Sequence, residues 1–348
     1  MTPARTRLIL GCLALGLILL SVLRLESDRF GLEISQFDVG STPVVLYHRA
    51  GESPSDPGPV VVVAHGFAGS IQIMQAYSLP LARAGYRVLA FDFEGHGRNP
   101  QPMSGDVTAV EGTTALLVAE TRRIIAAARA LSATGPDAGP DAGPIALLGH
   151  SMATDILVRA SIAEAEAGTP VAGVVAISMF SQAVTAQVPP TMLIISGQGE
   201  GFLRAAALDA VRLVDPAAGE GDLATAGPVS RRAVVAPMVE HVGVLFSPTA
   251  VTAAMDWLDA TFDRQGAVRA SQRGWWILAL LGGIVMALRP LVSLLPRAPV
   301  APQVPLGRFA MATVLPTVLV PLAITPVYQN FLPVLVADYL MLHLALFG

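Results

Sequence analysis

The chain has 348 residues, of which 53% are hydrophobic and only 14% charged, and its net charge is −4. This composition is too apolar for a soluble enzyme of the same length, so we expect part of the chain to lie in lipid. The basic residues are scattered, which argues against a nucleic-acid partner, and the single cysteine excludes an internal disulfide and a cysteine-based metal site.

The first predicted element is an apolar helix close to the N-terminus. Residues 8–23 form an almost unbroken apolar run that follows two arginines, and at about 1.5 Å per residue a helix of this length crosses most of a bilayer core. We therefore expect residues 1–29 to form a transmembrane signal anchor. A cleavable signal peptide is the alternative, but residues 21–25 offer no small-x-small cleavage site. Cys12 does not indicate a lipoprotein, because the apolar run follows it.

The long middle part of the chain, residues 30–265, alternates short β-branched runs with amphipathic stretches. This alternation predicts an α/β domain in which helices flank a mostly parallel sheet. Eight strands are predicted, near residues 32–37, 44–48, 60–64, 88–91, 145–148, 171–177, 192–195 and 233–237. The predicted helices cover residues 74–84, 113–131, 153–167, 202–214 and 248–262.

The last part of the chain, residues 266–348, is again strongly apolar. The stretches 275–295, 309–327 and 331–347 contain almost no charge and are interrupted mainly by prolines. They predict three further transmembrane helices. Together with the anchor they make four spans, so both termini are expected on one side of the membrane and the α/β domain on the other.

The composition and the positions of the arginines indicate in which membrane the protein lies and on which side of it the α/β domain is found. Every basic side chain is arginine, and alanine, glycine and proline abound, a bias typical of high-G+C bacteria. Basic residues favour the cytoplasmic side of short loops. With four spans, the arginines on that side are Arg5, Arg7, Arg289, Arg297 and Arg308, whereas those on the opposite side are Arg264, Arg269 and Arg273. We expect a bacterial inner-membrane protein whose α/β domain faces outward.

The clearest chemical signal is a serine at the junction of a strand and a helix. The sequence Leu-Leu-Gly-His-Ser-Met-Ala over residues 147–153 carries an apolar strand into a Gly-x-Ser-x-Ala turn, after which a helix begins. A serine held at such a tight turn projects its hydroxyl from the sheet, and N–H groups at the helix start point at an oxyanion. We predict Ser151 as the nucleophile. Ala153 stands where glycine is usual, and an ordinary strand-end turn is the alternative.

Further segments complete a resemblance to the α/β-hydrolase family over residues 32–262. Residues 60–70, a run of valines followed by Ala-His-Gly-Phe, are similar to the family's third strand and His-Gly loop. This resemblance implies that the backbone N–H groups of Phe67 and Met152 form an oxyanion hole. Residues 92–97, Asp-Phe-Glu-Gly-His-Gly, are similar to the family's Asp-x-x-Gly-x-Gly segment, which implies a structural turn beside the pocket.

The resemblance also supplies two partners for the serine. Residues 191–200 resemble the family's seventh strand and the acid turn after it, which implies that Glu200 orients the histidine. His241 follows the eighth predicted strand and is implied as the general base, because an imidazole with a pKa of about 6.5 can accept and return a proton at neutral pH. The order serine, acid, histidine is that of the family. Carboxylates that could replace Glu200 are Asp209, Asp215, Glu220 and Asp222.

These features predict a serine hydrolase that cleaves carboxylic esters through an acyl-enzyme intermediate, without a cofactor or a metal. Only residues 180–190 separate the sixth and seventh predicted strands, too few for a helical cap. The pocket is therefore expected to be open, or roofed by residues 101–113, residues 202–229 or the membrane helices. Such a site beside a bilayer favours lipid-like acyl esters as substrates and the membrane as a partner. An acyltransferase, a peptidase and a non-catalytic binding protein on the same fold are the alternatives.

Overall fold

The computed structural model describes residues 3–53, 58–103, 110–132, 143–264, 270–296, 304–326 and 337–347. The strands within these ranges are β1 Leu32–Val39, β2 Thr42–Arg49, β3 Val60–Ala64, β4 Arg87–Phe91, β5 Ile145–His150, β6 Gly173–Ile177, β7 Thr191–Gly197, β8 Leu223–Ala226 and β9 Val229–Ala236. The α-helices are α1 Pro3–Ser27, α2 Gln75–Arg83, α3 Ala115–Ser132, α4 Met152–Glu166, α5 Gly201–Arg212, α6 Pro248–Thr261, α7 Arg273–Val292, α8 Leu306–Ile324 and α9 Ala337–Phe347.

All of the described strands belong to one sheet, in the order β1-β2-β4-β3-β5-β6-β7-β9-β8. The six strands from β4 to β9 in this order run parallel, and antiparallel pairs lie only at the two edges. Helices α3, α4 and α5 cover one face of the sheet, and α2 and α6 cover the other. The central strands are buried on both faces, which explains their nearly continuous runs of valine, leucine and isoleucine.

The prediction of eight strands was one short, because the sheet has a ninth strand at its edge. β8 is the short segment Leu-Ala-Thr-Ala, and only Ala224 in it is buried. It pairs antiparallel with β9 across a tight turn in which Gly227 has a φ of 57°. A short and largely exposed edge strand without β-branched core residues carries no alternating apolar signal, so the sequence pattern did not reveal it.

Three helices of the described chain are long and apolar enough to cross a membrane, namely Arg5–Ser27, Arg273–Val292 and Leu306–Ile324. The predicted span 331–347 lies partly outside the described residues, which include only its last part as α9. Helices α1 and α7 pack against each other in opposite directions. Arg273 donates a hydrogen bond to the carbonyl oxygen of Leu25 at one end of the pair, and Gly11 lies beside Pro290 at the other.

Candidate active site

Ser151 lies between the end of β5 and the start of α4, as the sequence predicts. Its backbone has φ 52° and ψ −118°, a conformation that is disfavoured for a residue with a side chain. The turn is held by its own backbone, since the Ser151 N–H donates to the Ile177 carbonyl at 2.9 Å and the Thr154 N–H donates to the Ser151 carbonyl at 2.8 Å. This strained turn is the geometry expected of a nucleophile elbow.

The structure brings Ser151, His241 and Glu200 into one hydrogen-bonded chain. The Nε2 atom of His241 lies 2.8 Å from the Ser151 hydroxyl oxygen, and its Nδ1 atom lies 2.6 Å from Oε1 of Glu200. Because an ionised carboxylate only accepts hydrogen bonds, Nδ1 carries the proton and Nε2 is left to accept from the serine. Each residue follows a different strand, β5, β7 or β9, and the three meet at the carboxyl edge of the sheet.

Glu200 is buried and held by groups other than the histidine. Its Oε2 atom accepts hydrogen bonds from the Gly197 N–H at 2.6 Å and from the Ser178 hydroxyl at 2.8 Å. These donors fix the direction of the carboxylate. None of the rival carboxylates contacts His241 in the described chain, and one of them, Glu220, pairs with Arg204 instead. The supporting hydroxyl of Ser178 was not anticipated, since nothing in its local sequence marks it.

Two further histidines, His65 and His150, lie close to the serine but are held by backbone groups. The Nδ1–H of His65 donates to the Gly66 carbonyl at 2.8 Å, and its Nε2 accepts from the Phe93 N–H at 3.2 Å. The Nε2–H of His150 donates to the His241 carbonyl at 2.8 Å. Burial lowers the pKa of each imidazole to about 4, so both are neutral at neutral pH and are structural.

Phe67 and Met152, whose backbone N–H groups are the predicted oxyanion hole, both line the cavity beside Ser151. Met152 is the first residue of α4, whose N–H has no partner within the helix. Neither N–H donates a hydrogen bond within the part of the chain that the structure describes. The loop after β3 approaches the serine turn so closely that a side chain at Gly66 would place its Cβ 3.0 Å from Cβ of Ser151. The glycine therefore permits the two loops to meet.

Beside the serine lies an open cavity of about 730 Å³ on the α3 and α4 side of the sheet. Its wall is mainly apolar and includes Phe67, Met103, Val110, Leu117, Met152, Ile156 and Phe180. The roof expected from residues 101–113 is described only at its two ends, where Met103 and Val110 line the cavity. Residues 202–229 are absent from the described lining, although the ring centroid of Phe202 lies 6.2 Å from that of Phe180, which does line the cavity. Within the described chain, no cluster of histidine, cysteine and carboxylate side chains is arranged to hold a metal ion.

The only carboxylate among the described lining residues is Asp155, and it is already paired. Its Oδ2 atom accepts from Nε of Arg159 at 2.7 Å, and its Oδ1 atom accepts from the Ser181 hydroxyl at 2.6 Å. Arg159 also lines the cavity. The cavity therefore contains an ion pair with no net charge next to an apolar wall.

Comparisons with known proteins identify the domain. Residues 55–260 match the model of the family described as "Serine aminopeptidase, S33". No curated protein matches the sequence of this chain.

Similar solved structures have low identity to the chain. A "predicted CIB-like hydrolase" from Thermoplasma acidophilum is 14% identical over 66% of this chain and 98% of its own, with a TM-score of 0.47. The dienelactone hydrolase from Anabaena variabilis is 18% identical over 67% of this chain and 96% of its own, with a TM-score of 0.44. An esterase of the bacterial hormone-sensitive lipase family is 19% identical over 68% of this chain and 86% of its own, with a TM-score of 0.45.

Proposed function

Since this chain belongs to the serine aminopeptidase S33 family of α/β-hydrolases, we propose that it is a membrane-anchored serine hydrolase that cleaves carboxylic esters. The observation that supports this proposal best is the chain of hydrogen bonds from Glu200 through His241 to the Ser151 hydroxyl. A serine on a strained turn, with an imidazole nitrogen 2.8 Å from its hydroxyl oxygen, has the arrangement of an activated nucleophile. A purely structural role for the three residues would not require this order of donors and acceptors.

In the first half of the reaction, the Ser151 oxygen attacks the ester carbonyl carbon while its proton passes to Nε2 of His241. Glu200 accepts the Nδ1–H and stabilises the imidazolium that forms. The carbonyl oxygen becomes an oxyanion, which accepts hydrogen bonds from the N–H groups of Phe67 and Met152. The C–O bond to the leaving group then breaks, and the alcohol departs with the proton from Nε2. An acyl group remains on Ser151.

In the second half, water takes the place of the alcohol. His241 removes a proton from the water, whose oxygen attacks the acyl carbon, and the same oxyanion site stabilises the new tetrahedral intermediate. The bond to the Ser151 oxygen breaks, the serine regains its proton from Nε2, and the carboxylic acid leaves. Every proton moves between Ser151, His241 and the reactants, so the reaction balances without a cofactor.

The cavity favours an ester with an apolar acyl part over the amino terminus of a peptide. Binding an α-ammonium group in a partly desolvated site requires an opposing charge. Among the described lining residues only Asp155 carries a negative charge, and Arg159 and Ser181 already occupy its oxygens. An aminopeptidase, which the family's description favours, is therefore the second candidate.

The membrane part of the proposal rests on three helices that are long and apolar enough to span a bilayer. Helix α1 lies before the hydrolase domain, whereas α7 and α8 follow it, so the domain is held at both ends. We keep an outward-facing domain in a bacterial inner membrane as the expected arrangement, because it places Arg5 and Arg7 in the cytoplasm.

The experiment is labelling of the full chain in detergent with a fluorophosphonate, which reacts with activated serines. We expect wild type to be labelled and Ser151→Ala to be unlabelled. Ser230→Ala removes a serine at the opposite end of β9 and serves as the matched control, which should label like wild type. Labelling that persists in Ser151→Ala, or that never occurs, would reject the nucleophile.

A second measurement separates the two candidate substrates. The full chain is offered a water-soluble short-chain ester and an aminoacyl naphthylamide of similar size. We expect the ester to be hydrolysed at least tenfold faster in kcat/KM. A preference for the naphthylamide would favour the aminopeptidase and would contradict the esterase.

A further inference from the structure

Three loops and the start of α5, each following a strand of the sheet, expose large apolar side chains at the edge where Ser151 lies. Phe67 follows β3, Phe180 follows β6, Phe202 follows β7 and Met238 follows β9, and each is between 46% and 94% exposed. These strands are parallel, so their following loops lie at the same carboxyl edge of the sheet as Ser151. We call this set of four side chains the apolar rim.

Met238 shows that the rim is unsuited to water. It is 94% exposed, the largest exposure among the rim residues, and its φ is 58°. This left-handed conformation favours glycine or asparagine, and a long apolar residue is rare in it. The backbone strain costs the same in any surroundings, but a thioether side chain exposed to this degree is unfavourable in a turn that only meets water.

The pair of apolar helices α1 and α7 joins the domain beside these loops. Arg273, the first residue of α7, donates to Oε1 of Gln75 at 2.9 Å, and Gln75 is the first residue of α2 directly after the β3 loop. The next residue, Gly274, packs on Phe246 so closely that a Cβ there would lie 2.8 Å from Cβ of Phe246. Phe246 follows His241 by five positions. The helices thus leave the domain next to two of the loops that carry the rim.

The charge of the rim loops identifies the kind of surface they fit. The loops comprise residues 65–74, 178–190, 198–202 and 237–247, which contain no lysine or arginine and only two carboxylates, Glu200 and Glu240. Surfaces that bind anionic headgroups by charge carry clusters of basic residues instead. The rim is therefore suited to apolar insertion, in which aromatic and aliphatic side chains enter the boundary between headgroups and acyl chains.

We propose that the apolar rim docks onto the surface of the bilayer that α1 and α7 cross, so that the active-site cavity takes its ester directly from the membrane. This inference rests on the proposed membrane anchoring and deepens the proposed substrate class to an ester of a membrane lipid. Phe67 and Phe180 belong both to the rim and to the cavity wall. They form a continuous apolar path from the bilayer surface to Ser151.

The test measures whether the rim contacts lipid in the full chain. In a Cys12→Ser background, a fluorophore is attached to Phe202→Cys, to Met238→Cys or, as a control, to Ala167→Cys at the far end of α4. The proteins are reconstituted in phosphatidylcholine vesicles with or without nitroxide-labelled acyl chains. We expect the nitroxide to quench the labels at positions 202 and 238 at least threefold more than the label at position 167.

Two outcomes of this measurement would overturn the proposal. One is quenching at positions 202 and 238 that equals the quenching at position 167, since the rim would then lie in water. The other is quenching that appears only when phosphatidylglycerol is added and disappears in high salt, because that behaviour indicates adsorption by charge. Equal quenching in neutral and anionic vesicles is the expected result.

A second experiment measures ester hydrolysis and distinguishes an effect on membrane docking from an effect on the chemical reaction. Met238→Asn suits the left-handed backbone and removes an apolar rim side chain without touching the cavity. We expect it to slow hydrolysis of a long-chain ester dissolved in vesicles at least fivefold and to leave hydrolysis of a water-soluble short-chain ester within twofold of wild type. Leu213→Asn removes an exposed leucine at the far end of α5 and should change neither rate.

The possible failures are distinguishable. If wild type hydrolyses neither ester, the proposed function fails, whereas the quenching still reports on docking. If Met238→Asn slows both esters equally, or slows neither, the rim does not deliver substrate and the inference is wrong.

Discussion

Apolar residues meet opposite surroundings in the hydrolase domain and in the helices that flank it. The strand β3 consists of valines and one alanine that are at most 1% exposed. Leu8 in α1 and Leu281 in α7 are both more than half exposed. Runs of about five apolar residues in the domain thus pack inside the protein, whereas runs of about twenty in the helices face outward. The length of an apolar run, more than its hydropathy, thus distinguishes a buried strand from an apolar helix that faces outward.

Because the domain and the helices bury their apolar residues separately, we expect that substitutions can disrupt one and leave the other intact. Changes at the carboxyl edge of the sheet should affect the chemistry and leave the helix pair intact. Changes between the helices should affect their packing and leave hydrolysis of a soluble ester intact.

The largest effect is expected from Glu200→Gln. The amide can donate a hydrogen bond to the histidine and favour the wrong tautomer, and by analogy with the aspartate of a serine protease triad we expect kcat to fall about 10⁴-fold. The measurement is steady-state hydrolysis of a soluble ester by the full chain in detergent. Glu220→Gln, which removes an exposed partner of Arg204, is the control and should stay within twofold. Equal losses in the two variants would show that Glu200 has no special role.

The next effect concerns the pH dependence of domain stability. Burial lowers the pKa of His150 to about 4, below the value of about 6.5 in an unfolded chain. The unfolded state therefore takes up the proton first as the pH falls, so stability that is present above pH 6.5 is lost on the way to pH 4. This difference corresponds to about 3 kcal/mol for one histidine.

The measurement compares wild type with His150→Asn in urea unfolding between pH 4 and pH 7, followed by near-ultraviolet circular dichroism. The asparagine cannot titrate, so its loss of stability over this range should be smaller than that of wild type. Other groups titrate equally in the two proteins and cancel in the difference. Parallel pH profiles would mean that His150 is not held neutral by burial.

A smaller effect is expected where the two apolar helices touch. A side chain at Gly283 would place its Cβ 2.9 Å from Cγ1 of Ile18 and 3.3 Å from the Ala14 carbonyl, whereas Gly282 has nothing within 4 Å. We expect Gly283→Leu to force α1 and α7 apart at a cost of about 1–3 kcal/mol. Gly282→Leu is the matched control one residue away. Thermal unfolding in detergent should be lowered only by Gly283→Leu, while both variants keep wild-type hydrolysis of a soluble ester.

The alternation of strands and helices allowed most of the fold to be predicted from the sequence. The parallel core strands were recognisable because burial on both faces demands continuous β-branched runs. The edge strand β8 was not, because Leu223 and Thr225 face outward and only Ala224 is buried. The position of β8 is set by its pairing with β9, so its own sequence contains no apolar pattern that predicts a strand.

The candidate site was predictable where chain order and local turns carry the information. The turn around Ser151 and the position of His241 after the last strand could be read directly. The environment of Glu200 could not be predicted in full: the Gly197 donor is only three residues away, but the Ser178 donor comes from the segment after β6, which only the folded sheet brings to Glu200. The contact of His150 with the His241 backbone joins positions 91 residues apart, so it could not be predicted from the sequence either.

The smallest effect is expected from Ala153→Gly, which restores the glycine usual in the serine turn. Ala153 is fully buried in α4, so the substitution removes a packed methyl group and loosens the helix backbone, at a cost of about 1–2 kcal/mol. Ala165→Gly, at an exposed position of the same helix, isolates the backbone part of this cost. The fluorophosphonate labelling rate of Ala153→Gly should stay within twofold of wild type, because the Ser151 turn is fixed by its own backbone hydrogen bonds. A change of tenfold or more in the labelling rate would mean that the Ala153 methyl group helps to position Ser151, so that the nucleophile elbow of this chain depends on alanine at this position.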